Sequence, residues 1–167
     1  MQQNPAEYVE AARKLMGGID LDPASCHEAQ EKIKARAYFT AQEDGLTKEW
    51  TGRVFLNPPY SYPLIERFVT RAIEQYEAKN ISAAVVLTNN CTDAGWFHNL
   101  LARFPVCFTR GRVAFWRPRQ SSFATRQGQA FFYLGKDNGR FAEIFSRFGI
   151  VLGKTKLGTK KSRKVLL

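Results

Sequence analysis

The tetrapeptide Asn57-Pro58-Pro59-Tyr60 directly follows three apolar residues, Val54 to Leu56, that are typical of a buried β-strand. Each proline fixes its own φ angle, lacks an N–H group and keeps the residue before it extended. The Asn57 side-chain carbonyl and the Pro58 backbone carbonyl are therefore expected to lie close together, without local donors. Two fixed acceptors of this kind suit a planar amino group, which has two hydrogens to donate.

The chemistry that such acceptors favour is alkylation of a conjugated amine. The lone pair of this nitrogen is delocalised, and acceptors on its hydrogens stabilise the positive charge that develops during attack. No strong base is needed first, because the proton can leave after the nitrogen is alkylated. The Tyr60 ring is expected to stack on a flat substrate, an interaction worth roughly 1–3 kcal/mol per base. The alternatives are an ordinary Asn-Pro turn for Asn57 and a ring packed over the sheet end for Tyr60.

Basic residues are unevenly distributed along the chain. The net charge is +10 and the isoelectric point is about 9.8, yet no acidic residue lies between Asp93 and Asp137. A second segment, residues 154–164, has six basic residues and no acid. This asymmetry predicts a polyanionic partner, with nucleic acid the first candidate, and a solvated basic face is the alternative. The residues predicted to contact DNA phosphates or base edges are Arg112, Arg117, Arg119 and Arg126.

Length and composition set further limits. The chain has 167 residues, of which 44% are hydrophobic, and we expect one domain over residues 1–153 and a basic, loosely ordered tail over residues 154–167. No apolar stretch approaches the ~20 residues that cross a bilayer, and the first residues lack a signal-peptide pattern. Three widely spaced cysteines argue against both a disulfide framework and a zinc site. We therefore expect a cytoplasmic protein without a metal.

Strands and helices alternate along most of the chain, and a β-rich part follows. This order predicts an α/β sheet with helices on both faces, to which the β-rich part adds antiparallel strands. Ligands bind such sheets at the carboxyl ends of the strands, which places Asp22, Asn57 and the segment after Thr88 along one edge. The predicted strands are 19–22, 37–40, 53–56, 81–88, 106–108, 113–116 and 129–134, and the predicted helices are 5–16, 27–36 with Ser25 as its cap, 65–76, 93–103 and 140–148.

Six segments occur in an order and at spacings that resemble one enzyme family. They are NPAEYVEAA, IDLDPAS, YFTAQEDGLTKEW, VFLNPPYS, AAVVLTNNCTDAGWFH and GRVAFW. The chain resembles, over about residues 4–148, the small phage and prophage DNA N6-adenine methyltransferases, which depend on S-adenosylmethionine. The NPPY motif alone also resembles that of protein-glutamine methyltransferases and of some RNA methyltransferases, so these substrates remain alternatives.

The resemblance implies a compact Rossmann-like methyltransferase fold and a phage or prophage protein that acts on DNA in a bacterial host. An adenine would flip out of the duplex, with its amine against Asn57 and Pro58 and its ring on Tyr60. The catalytic residues implied are Asn57, Pro58, Pro59 and Tyr60.

The resemblance also implies a set of residues for S-adenosylmethionine. These residues are Asp20, Asp22, Pro23, Asp44 and Leu46. A helix-entry or turn role is the alternative for Asp20 and Asp22, and an Asp-Gly turn is the alternative for Asp44. The glycine-rich loop that usually approaches this cofactor is absent, which leaves open a DNA-binding relative without catalytic activity.

Overall fold

The computed structural model describes residues 5–111, 113 and 127–153. Helices and strands alternate through these residues, with one short 3-10 helix, Gly45–Thr47, before the third strand. The helices are α1 (Pro5–Met16), α2 (His27–Ile33), α3 (Leu64–Glu77), α4 (Gly95–Arg103) and α5 (Asn138–Phe145). The strands are β1 (Leu21–Asp22), β2 (Ala37–Tyr38), β3 (Gly52–Leu56), β4 (Ile81–Asn89), β5 (Val106–Thr109), β6 (Gln129–Leu134) and β7 (Gly149–Leu152).

All seven strands form one mixed sheet in the order β2-β1-β3-β4-β6-β5-β7. Strands β2, β1, β3 and β4 pair in parallel, whereas β6, β5 and β7 join through antiparallel pairs. The predicted α/β class, with antiparallel strands from the β-rich part, is therefore confirmed, and the arrangement is Rossmann-like. Because the first four strands are parallel, their carboxyl ends lie along the same edge of the sheet.

Hydrophobic residues cover both faces of this sheet. Along β4, Ala84 and Val86 pack into one cluster with α3 and α4, and Val85 and Leu87 pack into the other cluster with α1 and α5. All four of these side chains are fully buried. A strand that is covered on both faces needs apolar residues at every position, which explains the nearly continuous apolar run of β4.

The structure changes some predicted boundaries. Ser25 does not cap α2, because its Oγ accepts a hydrogen bond from Gln30 Nε2, and the cap position is Cys26. The last helix starts earlier than predicted, because Asp137 accepts a hydrogen bond from the Arg140 N–H and caps α5. Strand β7 was not predicted; it is an edge strand on which apolar side chains alternate between half-buried and exposed positions.

Other predictions lie wholly or partly outside the described residues. Of the predicted strand 113–116, only residue 113 is described, and it forms a single bridge. Residues 154–167, predicted to form the basic tail, are also outside. No helix in the described part of the chain is long and apolar enough to span a bilayer.

Candidate active site

The NPPY tetrapeptide lies at the carboxyl end of β3, at the edge of the sheet that the topology favours for ligands. Val54, Phe55 and Leu56 are fully buried and hold the end of the strand in the core. Asn57 is half-buried and Pro58 is buried, whereas Pro59 is exposed to solvent. The strand thus anchors the tetrapeptide at the edge of the sheet.

Tyr60 is half-buried and packs against the core cluster on the α3 and α4 side. Its hydroxyl donates a hydrogen bond of 2.9 Å to Asn57 Oδ1, and Gln129 Nε2 donates one of 3.3 Å to the same hydroxyl. A carbonyl oxygen has two lone pairs, so Asn57 Oδ1 keeps one acceptor position beside the tyrosine. The tetrapeptide therefore combines an oriented amide carbonyl with an aromatic ring.

A cleft of about 370 Å³ opens beside the tetrapeptide. Its volume falls within the roughly 300–1,000 Å³ of typical small-molecule sites. The lining residues come from the loop after β1, the segment before β3, the tetrapeptide and the start of α3. They are Pro23, Ala24, Ser25, Thr40, Ala41, Asp44, Gly45, Pro59, Leu64, Arg67 and Phe68. The cleft thus brings together three of the predicted site residues, namely Pro23, Asp44 and Pro59.

Asp22 lies directly before this loop and is almost completely buried. Its Oδ2 accepts a 2.8 Å hydrogen bond from Gln30 Nε2, and its Oδ1 accepts a long one of 3.4 Å from the Ala24 N–H. Burial raises the pKa of Asp22 to about 6, although hydrogen bonds from Ser25, Ala24 and Gln30 favour the charged form. Asp22 therefore links the loop that lines the cleft to helix α2.

Gly45 allows a close contact between the two sides of the cleft. A Cβ atom on Gly45 would lie 1.9 Å from the Pro23 carbonyl oxygen, so only glycine fits at this position. The Gly45 carbonyl also accepts a 2.8 Å hydrogen bond from Trp50 Nε1, and the Trp50 side chain is buried. Gly45 therefore permits a close approach of the 3-10 helix to the Pro23 backbone, and both segments line the cleft.

Asp44 and Leu46 flank Gly45. Asp44 has a φ of 51° and caps the 3-10 helix, because its Oδ1 accepts a 3.1 Å hydrogen bond from the Leu46 N–H. This is the turn that the sequence analysis kept as the alternative, yet the same residue also lines the cleft. Leu46 is half-buried and packs against the core. The cofactor role predicted for both residues is untested and stays a prediction.

Asp20 occupies a different position. The Arg53 guanidinium donates to both of its carboxylate oxygens, at 2.6 Å and 2.9 Å, and the Arg53 backbone N–H donates to Oδ2 at 2.9 Å. Arg53 lies near the start of β3, and the same guanidinium also donates to the Gly17 carbonyl. The structure does not bring Asp20 to the cleft, so its predicted cofactor role has no geometric support.

The Asp20–Arg53 ion pair makes a testable contribution to stability. Hydrogen bonds from Arg53 lower the pKa of Asp20 from 3.8 to about 2. A carboxylate with a lowered folded-state pKa stabilises the fold above its unfolded pKa, and this contribution disappears as the pH falls through the folded value. We expect Asp20→Asn to lower the free energy of unfolding by about 1–2 kcal/mol at pH 7, after allowance for partial solvent screening.

Urea unfolding measured from pH 7 down to about pH 2 tests this prediction. The difference between the wild type and Asp20→Asn should shrink below about pH 4 and be mostly lost by about pH 2. Glu10→Gln is the matched control, since Glu10 forms an exposed ion pair with Arg13. If the free energy of unfolding of Asp20→Asn differed from that of the wild type by the same amount at every pH, the ion pair with Arg53 would not be the source of the difference.

Sequence reasoning missed Arg67, which lies in the first turns of α3 and lines the cleft. Among the residues that line the cleft, Arg67 is the basic side chain and Asp44 is the acidic one. The amphipathic pattern of α3 assigns Arg67 to the polar face of the helix. That pattern does not reveal that this part of the polar face borders a cleft.

Two polar side chains at the end of β4 add to the same edge of the sheet. Thr88 Oγ1 and Asn89 Oδ1 are buried and have no hydrogen-bond partner within residues 5–111, 113 and 127–153. Asn89 is the register partner of Gln129, the residue that contacts the Tyr60 hydroxyl. The predicted position of the segment after Thr88 along this edge is confirmed, because β4 pairs in parallel with β3.

The arginines predicted to bind DNA, Arg112, Arg117, Arg119 and Arg126, lie outside the described residues. Val113, which is described, donates a 3.2 Å hydrogen bond from its backbone N–H to Gln129 Oε1.

The comparisons with known proteins agree with the motifs. The model of a family described as DNA N-6-adenine-methyltransferase (Dam) matches residues 1–134. This range includes the NPPY tetrapeptide, all residues that line the cleft and Gln129. No curated protein matched the chain.

Proposed function

Because the chain belongs to the DNA N-6-adenine-methyltransferase (Dam) family, we propose that it transfers a methyl group from S-adenosylmethionine to the exocyclic amine of adenine in DNA. The observation that carries the proposal is the position of Pro59. This residue lines the cleft and lies between the Pro58 carbonyl and the Tyr60 ring, which are proposed to contact the base. A methyl donor in the cleft would therefore adjoin an amine held by the tetrapeptide.

On the substrate side, Asn57 Oδ1 and the Pro58 carbonyl would accept the two hydrogens of the adenine amine. Asn57 Oδ1 is already oriented by the Tyr60 hydroxyl at 2.9 Å and has a second lone pair for the substrate. Acceptors that are fixed in advance stabilise the positive charge that develops on the nitrogen, without reorganisation during attack. The Tyr60 ring would hold the flipped base, and stacking would offset part of the unstacking energy.

The residues around the cleft fit S-adenosylmethionine by size and by chemistry. The volume of about 370 Å³ suits a ligand of this size, and Leu64 and Phe68 offer apolar surface for the flat adenine ring. Asp44 would accept hydrogen bonds from amino or ammonium groups, and Arg67 would pair with the carboxylate. When bound, this cofactor supplies an electrophilic methyl group on a sulfonium.

Charge supports a nucleic-acid substrate over a protein glutamine. The net charge is +10, and the acid-free segment between Asp93 and Asp137 includes Val113 and Gln129, which are hydrogen-bonded to each other beside the tetrapeptide. The excess of basic residues in this segment would attract phosphates and raise the local concentration of DNA.

A transfer assay with labelled S-adenosylmethionine tests the proposal. Duplex DNA, single-stranded DNA, RNA and protein serve as parallel acceptors, and mass spectrometry of digested DNA identifies the product. We expect label in DNA as N6-methyladenine. DNA with hypoxanthine in place of adenine, which lacks the amine, is the matched control and should remain unlabelled.

Two outcomes would contradict the proposal. Label that appears only in protein or only in RNA would assign the same chemistry to a different substrate. No heat of S-adenosylmethionine binding at millimolar cofactor, together with retained DNA binding, would indicate a family member without catalytic activity.

A further inference from the structure

We propose that Gln129 is a positioning residue for methyl transfer, which acts through the Tyr60 hydroxyl on the carbonyl of Asn57. This inference rests on the proposed function. Gln129 is the first residue of β6, and its side chain is almost completely buried. A buried amide must be hydrogen-bonded to be tolerated, so its partners indicate its role.

The orientation of the Gln129 amide follows from its other contact. The Val113 backbone N–H can only donate, and it lies 3.2 Å from one end of the amide. That end must be the carbonyl oxygen, and Nε2 must therefore face the Tyr60 hydroxyl, at 3.3 Å. The backbone carbonyl of Gln129 is also fixed, because it accepts a 3.1 Å hydrogen bond from Thr109 Oγ1 and pairs within the sheet.

This orientation determines where the tyrosine proton points. A phenol has one proton to donate, and because the Tyr60 oxygen accepts from Gln129 Nε2, that proton does not point toward Gln129. The hydroxyl donates to Asn57 Oδ1 at 2.9 Å, and this bond favours the amide orientation that presents a carbonyl beside the tyrosine. Without it, the Asn57 amide is free to rotate by half a turn and present its NH2 group, which would repel the substrate amine.

The same hydrogen bond also holds the ring of Tyr60. A ring that is fixed at its hydroxyl and packed against the core on one side offers its other face as a preformed platform for a base. Gln129 is distant from the tetrapeptide in sequence, and the pairing of β6 with β4 brings its side chain to the Tyr60 hydroxyl. The structure therefore assigns to β6 a role in orienting both functional groups of the tetrapeptide.

A double-mutant cycle on the full-length protein tests the inference. Gln129→Met keeps the length of the side chain but removes the amide. We expect it to lower kcat about 3- to 10-fold, the effect of one hydrogen bond, and to leave the Kd of S-adenosylmethionine unchanged within about 2-fold. In the Tyr60→Phe background, the same change should alter kcat less than about 2-fold, because the hydroxyl on which it acts is already missing.

Two further variants separate positioning from folding. Gln75→Met is the matched control, since Gln75 is also a buried glutamine but lies on α3 and hydrogen-bonds Asn80; its kcat should equal that of the wild type. Gln129→Glu retains an acceptor for the Val113 N–H but puts a carboxylate oxygen in place of the donor to Tyr60, so the tyrosine proton turns toward residue 129 and away from Asn57. It should lose kcat at least as much as Gln129→Met and replaces that variant if the methionine protein does not fold.

The outcomes distinguish this inference from the proposed function. If the wild type methylates DNA and Gln129→Met and Gln129→Glu keep its kcat, only the role of Gln129 is overturned. Equal losses of kcat in the Tyr60 and Tyr60→Phe backgrounds would also overturn it, since Gln129 would then act independently of the hydroxyl. A wild type that methylates no acceptor would overturn both.

Discussion

Replacement of Asn57 by alanine is expected to lower kcat for methyl transfer by about 100- to 1,000-fold, the range for loss of one preorganised group at a developing charge. The variant removes the oriented carbonyl and leaves the Tyr60 hydroxyl without its acceptor at 2.9 Å. The Kd of S-adenosylmethionine should change little, because Asn57 is not among the residues that line the cleft. Single-turnover transfer and calorimetry measure the two quantities separately.

Two companion variants make this result specific. Asn57→Asp retains an acceptor oxygen that the Tyr60 hydroxyl can orient, so it should keep substantially more activity than Asn57→Ala. Asn99→Ala alters an exposed asparagine on α4 and should have wild-type kcat. Wild-type kcat in Asn57→Ala would remove the tetrapeptide from the mechanism, and equal losses in the alanine and aspartate variants would exclude an acceptor role.

The sequence predicted the tetrapeptide and its position because the relevant signals are local. Three apolar residues before Asn57 indicate a buried strand, and two prolines end that strand regardless of what surrounds them. The α/β class follows from helix and strand periodicities that are likewise local. For these features, a few consecutive residues determine the structure, so a single sequence is sufficient.

Contacts between distant segments were not predictable in the same way. The segment IDLDPAS has two aspartates, and its pattern does not reveal their different surroundings. Asp20 forms an ion pair with Arg53, whereas Asp22 is buried near the cleft. These positions depend on how β1 pairs with β3. Gln129 is far from Tyr60 in sequence, and their contact requires β6 to pair with β4. The strand β7 was missed because one exposed face at the sheet edge weakens its apolar pattern.

Replacement of Gly45 by alanine is expected to raise the Kd of S-adenosylmethionine at least about 10-fold and to lower the free energy of unfolding by about 1–3 kcal/mol, the usual cost of overpacking. The added Cβ atom would lie 1.9 Å from the Pro23 carbonyl oxygen, which is backbone and has no rotamer to change. The 3-10 helix cannot easily shift away from Pro23. Trp50 Nε1 donates a 2.8 Å hydrogen bond to the Gly45 carbonyl, and Phe39 Cβ lies 3.4 Å from the new atom.

The Pro23 loop must therefore shift, and this loop lines the cleft together with Gly45 and Asp44. Gly95→Ala is the matched control, because a Cβ atom at the start of α4 meets no atom within 4 Å. This control should keep the wild-type Kd and equal or exceed the wild-type stability, since alanine favours helices over glycine. Calorimetry measures the Kd of S-adenosylmethionine and thermal unfolding measures stability, and neither measurement requires methyl transfer. Wild-type cofactor affinity in a destabilised Gly45→Ala protein would place S-adenosylmethionine elsewhere, because this cleft cannot retain its shape once the Pro23 backbone moves.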